Sequence, residues 1–501
     1  MSKRTLFSFF PVPRAGRDVV TGLALLVSLG GCTVGPSYHP PQSLLPPTWS
    51  ELPESGVTTQ SVQLVEWWTT LNDPVLDSLI TQAVSANLDL RVAQGRVRET
   101  RAQRGVTAAD AWPTVSTSAA YFRTRQSENV GPFPSSSLGN GQSSSNSQFG
   151  LVEGDLFRAG FDASWELDLF GRVRRSVEAA EADIAAAEEN RRDVLVTLLA
   201  EVARNYVELR GFQQQLKVAY ANIATQQTAV EVTQARFQAG LTSALDVAQA
   251  EAQLATTQAQ VPTLETGARQ AIHRLGVLLG QEPGALIAQL SEDKPIPMAS
   301  LEVSVGLPSE LLRRRPDVRR AERELAAATA RIGVATADLF PRFTLAGNTI
   351  GLQSASLSDL ALGSSRFWTA GPTVSWPLFD AGKIRANIEV QNAREEQALA
   401  QYEKTVLTSL EEVENALTAY AREQTRQRAL TNAVNANRQS VALANERYVK
   451  GLSDFLNVLT AQQSLYTAED QLTQSERTVV SNLIALYKAV GGGWEISAQR
   501  Q

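Results

Sequence analysis

Read from end to end, the chain states most of its plan twice. Residues 89–113 align with 317–341 at an offset of 228 without a gap, and 9 of 25 positions are identical. Residues 236–247 align with 447–458 at an offset of 211. A duplication on this scale fixes the architecture before any motif is read, because each copy must form the same unit. The periodicities inside each copy predict helix, two strands, long helix and returning helix.

The strand signal is strict alternation. In 160–169, Phe161, Ala163, Trp165, Leu167 and Leu169 alternate with Asp162, Ser164, Glu166 and Asp168. In 368–378, Trp368, Ala370, Val374, Trp376 and Leu378 alternate with Thr369, Gly371, Thr373 and Ser375. A polar face opposite a Trp-bearing apolar face is the pattern of a transmembrane β-barrel strand. Asp162, Glu166 and Asp168 are therefore expected to face a water-filled lumen, and Trp165 and Leu167 to face lipid. Weaker partner strands are expected at 114–124 and 342–351. The Ser/Gly/Asn-rich stretch 126–150 between the strands of copy one reads as a surface loop. It accounts for the 17 residues by which the two offsets differ.

The helical signal is as plain. Residues 171–239 and 382–450 contain no proline, and Leu399, Tyr402, Val406, Leu410, Val413, Leu417 and Tyr420 recur with a mean spacing of 3.5. That is a coiled-coil period. Each segment would reach roughly 100 Å at 1.5 Å per residue, far beyond any bilayer. Gly240 and Gly451 mark turns into returning helices over 243–279 and 454–489. The first repeat thus covers 74–280, opening with a helix from Pro74 to Ala111, and the second covers 309–490. Between and around them, 32–73, 281–308 and the 491–501 tail are expected to form a small mixed belt.

Residues 1–31 read as a signal peptide: Lys3, Arg4, Arg14 and Arg17 precede the apolar run 19–29. It ends in Leu29-Gly30-Gly31-Cys32, which resembles a bacterial lipobox. Cys32, the only cysteine in the sequence, is the expected lipidation site, with a palmitate-type anchor. Thr33 is not the aspartate that commonly retains lipoproteins at the inner membrane, which favours the outer membrane. Removing 1–31 changes the formal charge from −6 to 42 − 51 = −9, giving no reason to expect nucleic acid. Two histidines, His39 and His273, stand in no metal-ligand spacing, and no Gly-rich phosphate loop follows a strand. No catalysis, no metal and no cofactor beyond the covalent lipid on Cys32 are expected.

Four strands cannot close a barrel, and open edges are not tolerated in lipid. The chain must share its barrel and helical tube with other copies. The run 306–318 (GLPSELLRRRPDV), the start at 32–41 (CTVGPSYHPP) and the motifs around Gly240-Leu241 and Gly451-Leu452 resemble the TolC-like outer membrane factor family, NodT-type efflux lipoproteins. The resemblance covers essentially all of 32–493. It implies a mainly α fold with a β-barrel portion: a homotrimer with a 12-stranded barrel and a long periplasmic coiled-coil tunnel. It also implies a Gram-negative outer-membrane efflux channel, with a periplasmic adaptor (membrane fusion) protein and a resistance-nodulation-division pump as partners. By the same resemblance, Gly240, Leu241, Thr242, Ser243, Gly451, Leu452 and Ser453 are adaptor-docking tips. Asp246, Asp454 and Asn457 are candidates for the periplasmic aperture. A soluble coiled-coil scaffold would leave the leader and the alternating strands unexplained. An exit duct for type I protein secretion stands as the alternative function.

Overall fold

The computed structural model describes residues 33–41, 46–50, 57–58, 65–125, 153–298, 303–304 and 307–495. Cys32, the leader before it, the 126–150 stretch and the last six residues lie outside them. In chain order the elements are β1 (Val57–Thr58), α1 (Pro74–Ala86), α2 (Leu88–Ala109), β2 (Thr114–Arg125), β3 (Glu153–Leu167), α3 (Arg172–Gln238), α4 (Ala244–Leu278), α5 (Ile287–Leu290), β4 (Val303–Ser304), α6 (Pro308–Arg314), α7 (Pro316–Ala337), β5 (Arg342–Ser354), β6 (Arg366–Ser375), α8 (Lys383–Val449) and α9 (Phe455–Ala489). The duplication extends to helix length: α2 and α7 have 22 residues, α3 and α8 have 67, α4 and α9 have 35.

The chain divides into two compact units. The first, built from 1–38, 102–181 and 326–395, is organised on a four-stranded antiparallel sheet in the order β2-β3-β5-β6. Among the described residues, β2 and β6 have a strand partner on one side only. Register sets the faces. Thr117, Phe161 and Ile350 stand opposite one another, and Ile350 opposes Trp368, so one face is apolar. Ser116 and Asp162 stand opposite each other on the other face. A bulge in β5 between Leu345 and Asn348 is read by both neighbours, which keeps the faces in phase across the sheet.

The second unit comprises 39–101, 182–325 and 396–501, and its core lies among the helices. Leu76, Leu79, Leu199, Leu209, Leu275 and Leu417 are fully buried there, with Trp67 stacked on Tyr487 at 5.1 Å. Each such leucine contributes ~1.5–3 kcal/mol by leaving water. In this unit β1 pairs with β4 in parallel, Val57 opposite Val303.

One expectation is corrected by a pair of helix breaks. The helix expected from Pro74 to Ala111 is two helices, interrupted at Asn87. The Asn87 side chain donates to the Leu278 carbonyl at 2.9 Å and accepts from Leu90 N–H at 2.9 Å. Its duplicate, 228 residues on, is Arg315, which separates α6 from α7 and donates to the Ala489 carbonyl at 3.0 Å. Ala489 is the duplicate of Leu278. Both copies thus break their first helix to capture the end of their last one.

Candidate functional site

The polar face of the sheet carries fewer of the expected acids than its sequence pattern suggests. Asp162 lies on that face and accepts from Ser118 Oγ at 3.2 Å. Glu166, one residue from the end of β3, accepts from Arg172 Nε and Nη2 at 2.9 and 2.8 Å. Asp168 is past the strand altogether, since β3 ends at Leu167. Its carboxylate accepts the Arg174 backbone N–H at 2.9 Å and caps the start of α3. Asp380 does the same for α8, accepting from Gly382 and Ile384 N–H groups. Alternation alone could not separate the end of the strand from the helix cap, because Asp168 falls in phase with the polar positions Asp162, Ser164 and Glu166.

At the same level the duplicated tryptophans are fixed. Trp165 Nε1 donates to the Ala111 carbonyl at 2.9 Å, and Trp376 Nε1 to the Leu339 carbonyl at 3.1 Å. Each indole keeps an exposed apolar body with a satisfied N–H, the arrangement suited to a boundary between apolar and aqueous surroundings.

The first described residues strap across this junction. Val34 N–H donates to the Phe170 carbonyl at 3.2 Å, and the buried Arg175 guanidinium donates to the carbonyls of Val34 and Gly35 and to Ser37 Oγ. Gly35 has φ +87°, and a Cβ there would lie 2.5 Å from Gly333 Cα. Only glycine fits. The sequence does not announce this strap among the belt residues; the Gly35-Pro36 pair is the one local signal for it.

The two helical turns share one backbone design. Gly240 (φ +73°) and Gly451 (φ +69°) donate to Phe237 and Tyr448 carbonyls, while Leu241 and Leu452 N–H groups reach back to Arg236 and Arg447. This double closure is the Schellman arrangement. It leaves Leu241 and Leu452 exposed, beside Leu245 and Leu456. The turns differ after that. In copy one Ser243 and Asp246 form a capping box, and Asp246 also accepts from Thr242 Oγ1. The Thr242 hydroxyl and the Ser243 N–H hold the Asp246 carboxyl below its usual range. In copy two Asp454 occupies the N-cap position with no side-chain cap bond, and Asp454 and Asn457 are exposed. Asp246 is therefore a tied cap, whereas Asp454 is the acid presented to water.

Behind the turns, Tyr448 packs on Phe455 at 5.4 Å, with Val230, Ala250 and Val458 around them. Arg236 of copy one stacks over Tyr448 of copy two at 4.6 Å. Sequence reasoning missed this cluster, although Tyr448 and Phe455 flank Gly451 symmetrically enough to suggest it. Among the described residues no group of acids, histidines or cysteines could hold a metal ion, and no helix is long and apolar enough to cross a membrane.

Comparison with known proteins agrees with this geometry. The family model for outer membrane efflux protein matches residues 79–281 and 307–492. Nodulation protein T of Rhizobium leguminosarum bv. trifolii is 32% identical over 468 residues, covering 93% of this chain and 95% of the relative. The solvent efflux pump outer membrane protein SrpC of Pseudomonas putida is 32% identical over 480 residues, covering 94% and 97%. The solved outer-membrane channel OprN superposes with a TM-score of 0.84 at 37% identity, over 93% of this chain and all of that one. With its two copies, its open-edged sheet and its paired helical turns, the chain belongs to the outer membrane efflux protein family.

Proposed function

We propose that the chain is the outer-membrane channel of an efflux assembly: a passive duct for small molecules, built by three copies and supplied by an inner-membrane pump through a periplasmic adaptor. The observation that carries this reading is the sheet, with one apolar face, one polar face and two edges that lack a partner strand among the described residues. In hydrocarbon each unpaired backbone group costs several kcal/mol, so the edges must be closed by further strands. Three copies supply twelve, within the range of bacterial barrels. Val115, Phe161 and Trp368 would then face lipid and Asp162 the lumen, with Trp165 and Trp376 at the headgroup level.

Acylation of Cys32 fits the strap, because an anchor one residue before Thr33 would be tied to the strand-to-helix junction. Leu241 and Leu452 supply apolar contact for an adaptor. The duct itself does no chemistry; the pump provides the energy. The relative named for solvent efflux supports small apolar molecules as cargo.

The test is dye accumulation in a host lacking its own outer-membrane efflux channel, supplied with the adaptor and pump that co-purify with this chain. The intact chain should lower accumulation, and Leu452→Glu should not, at equal outer-membrane levels. Unchanged accumulation with the intact, correctly inserted chain would contradict the efflux reading.

A further inference from the structure

The polar face of the sheet does not stay polar to its end. β2 leaves α2 at Thr114 and β6 leads toward α8, so Phe122 and Phe367 lie at the end of the strands away from those connections. The register fixes their face. Ser116 opposes Asp162 on the polar side, and steps of two from that pair bring Ala120 opposite Arg158 and Phe122 opposite Leu156 on the same side. Gly160, in phase with Asp162, opposes Gly351, which in turn opposes Phe367. Three large apolar side chains and one guanidinium thus follow Asp162 where alternation calls for polar groups.

Two of these groups are fitted together. A Cβ on Gly351 would lie 2.5 Å from the Ala159 carbonyl oxygen and 3.1 Å from Phe367 Cε1, and one on Gly160 would lie 2.9 Å from the Ile350 carbonyl oxygen. The glycines leave a seat on β3 and β5, and the Phe367 ring reaches over it. Arg158 Cζ stands 4.9 Å from the centroid of that ring, a distance at which a guanidinium is drawn to the ring's negative face. Arg172 and Arg174, at the other end of β3, are paired with Glu166 and Asp168. Among the described residues Arg158 has no carboxylate partner. Phe122 is 51% exposed beside it.

We infer that this patch is a wall site for aromatic anions in the outward part of the duct, one in each copy. Flat rings would lie against Phe122 and Phe367, and a sulfonate or carboxylate would take the N–H groups of Arg158, which a planar guanidinium offers in pairs. The inference rests on the shared-channel reading and names a cargo class for it. Asp162 does not cancel the site. It is four residues from Arg158 along one strand, roughly 13 Å at 3.3 Å per residue, beyond the screening length of ~10 Å in 0.1 M salt.

Single-channel recording of the detergent-extracted protein in planar bilayers tests this with three probes of one ring system and different charge: naphthalenesulfonate, naphthylmethanol and naphthylmethylammonium. Each is added from the side opposite the helical turns. The sulfonate should interrupt the current at lower concentration than the other two, and added salt should weaken it. Arg158→Gln and Phe367→Leu should each weaken the interruption about tenfold, and Arg158→Lys should retain part of it. A pair that served only to brace the sheet would leave the interruption unchanged. Equal interruption by the three probes, or a sulfonate effect that survives in both Arg158→Gln and Phe367→Leu, would overturn the wall site while leaving the channel standing. If a variant fails to insert, the comparison of the three probes on the intact channel decides alone. An inserted protein that conducts no current would overturn the shared-channel reading and the wall site with it.

Discussion

Arg315 and Asn87 occupy duplicate positions, yet they hold the same helix end by different chemistry. Arg315 is almost fully buried, takes Asp317 bidentately at 2.9 and 2.6 Å, and bonds Glu412 at 2.6 Å. Arg315→Ala should therefore leave the half-buried Asp317 without its bidentate partner and cost about 2–4 kcal/mol, toward the lower end of what breaking a buried ion pair costs. Asn87→Ala loses neutral hydrogen bonds only and should cost about 1–3 kcal/mol. Thermal unfolding of the two variants ranks them. Burial opposes ionisation of Asp317, but Arg315 outweighs it and holds the carboxyl below its usual 3.8. A depressed carboxylate stabilises fully above its unfolded pKa and loses that contribution as pH falls through the folded value. The stability gap between wild type and Arg315→Ala should accordingly be constant near neutral pH and narrow below about pH 4. The break at Asn87 was not legible in the sequence, because its partner is a carbonyl 191 residues away, whereas Pro316 directly after Arg315 is a local stop signal for the break in copy two.

At the scale of elements, breakers and period together carried most of the information. The proline-free runs and the glycines at 171, 240, 382 and 451 placed α3, α4, α8 and α9 to within about a residue, and the 3.5-residue repeat within α8 supplied the helical period. Strand ends were less legible: β3 begins at Glu153, well before the alternation becomes regular, and β6 stops at Ser375 rather than 378. A strand's limits depend on its neighbours' hydrogen bonds, which a single strand's pattern does not contain. Pro262 lies inside α4, showing that a long packed helix can absorb one missing N–H. Phe161 lies on the face with Trp165 and further into the strand, so Phe161→Arg should impair barrel assembly by about 2–4 kcal/mol if near the bilayer midplane, whereas Leu167→Arg, at the strand end beyond Trp165, should cost only about 0–1 kcal/mol. Glu166→Ala should be milder than Phe161→Arg but not silent, since it frees Arg172; heat-modifiable mobility of the extracted protein measures all three. At the turn of copy one, Ser243→Ala removes the capping box and should cost about 1 kcal/mol, whereas Asp454→Ala removes no cap bond and should leave melting unchanged.

For the whole molecule, the decisive property is incompleteness. Among the described residues, two copies of one unit give a single four-stranded sheet whose two edges lipid would not leave unpaired, and large apolar side chains such as Val390 and Leu407 stand exposed on α8. The sequence made that need visible through counting strands; the exposed positions on α8 became visible only once burial in the two copies could be compared. Native mass spectrometry of the protein extracted from outer membranes tests the central claim most directly. Three chains, each starting at Cys32 with added acyl mass, are predicted. A stably inserted species containing one chain would contradict the account.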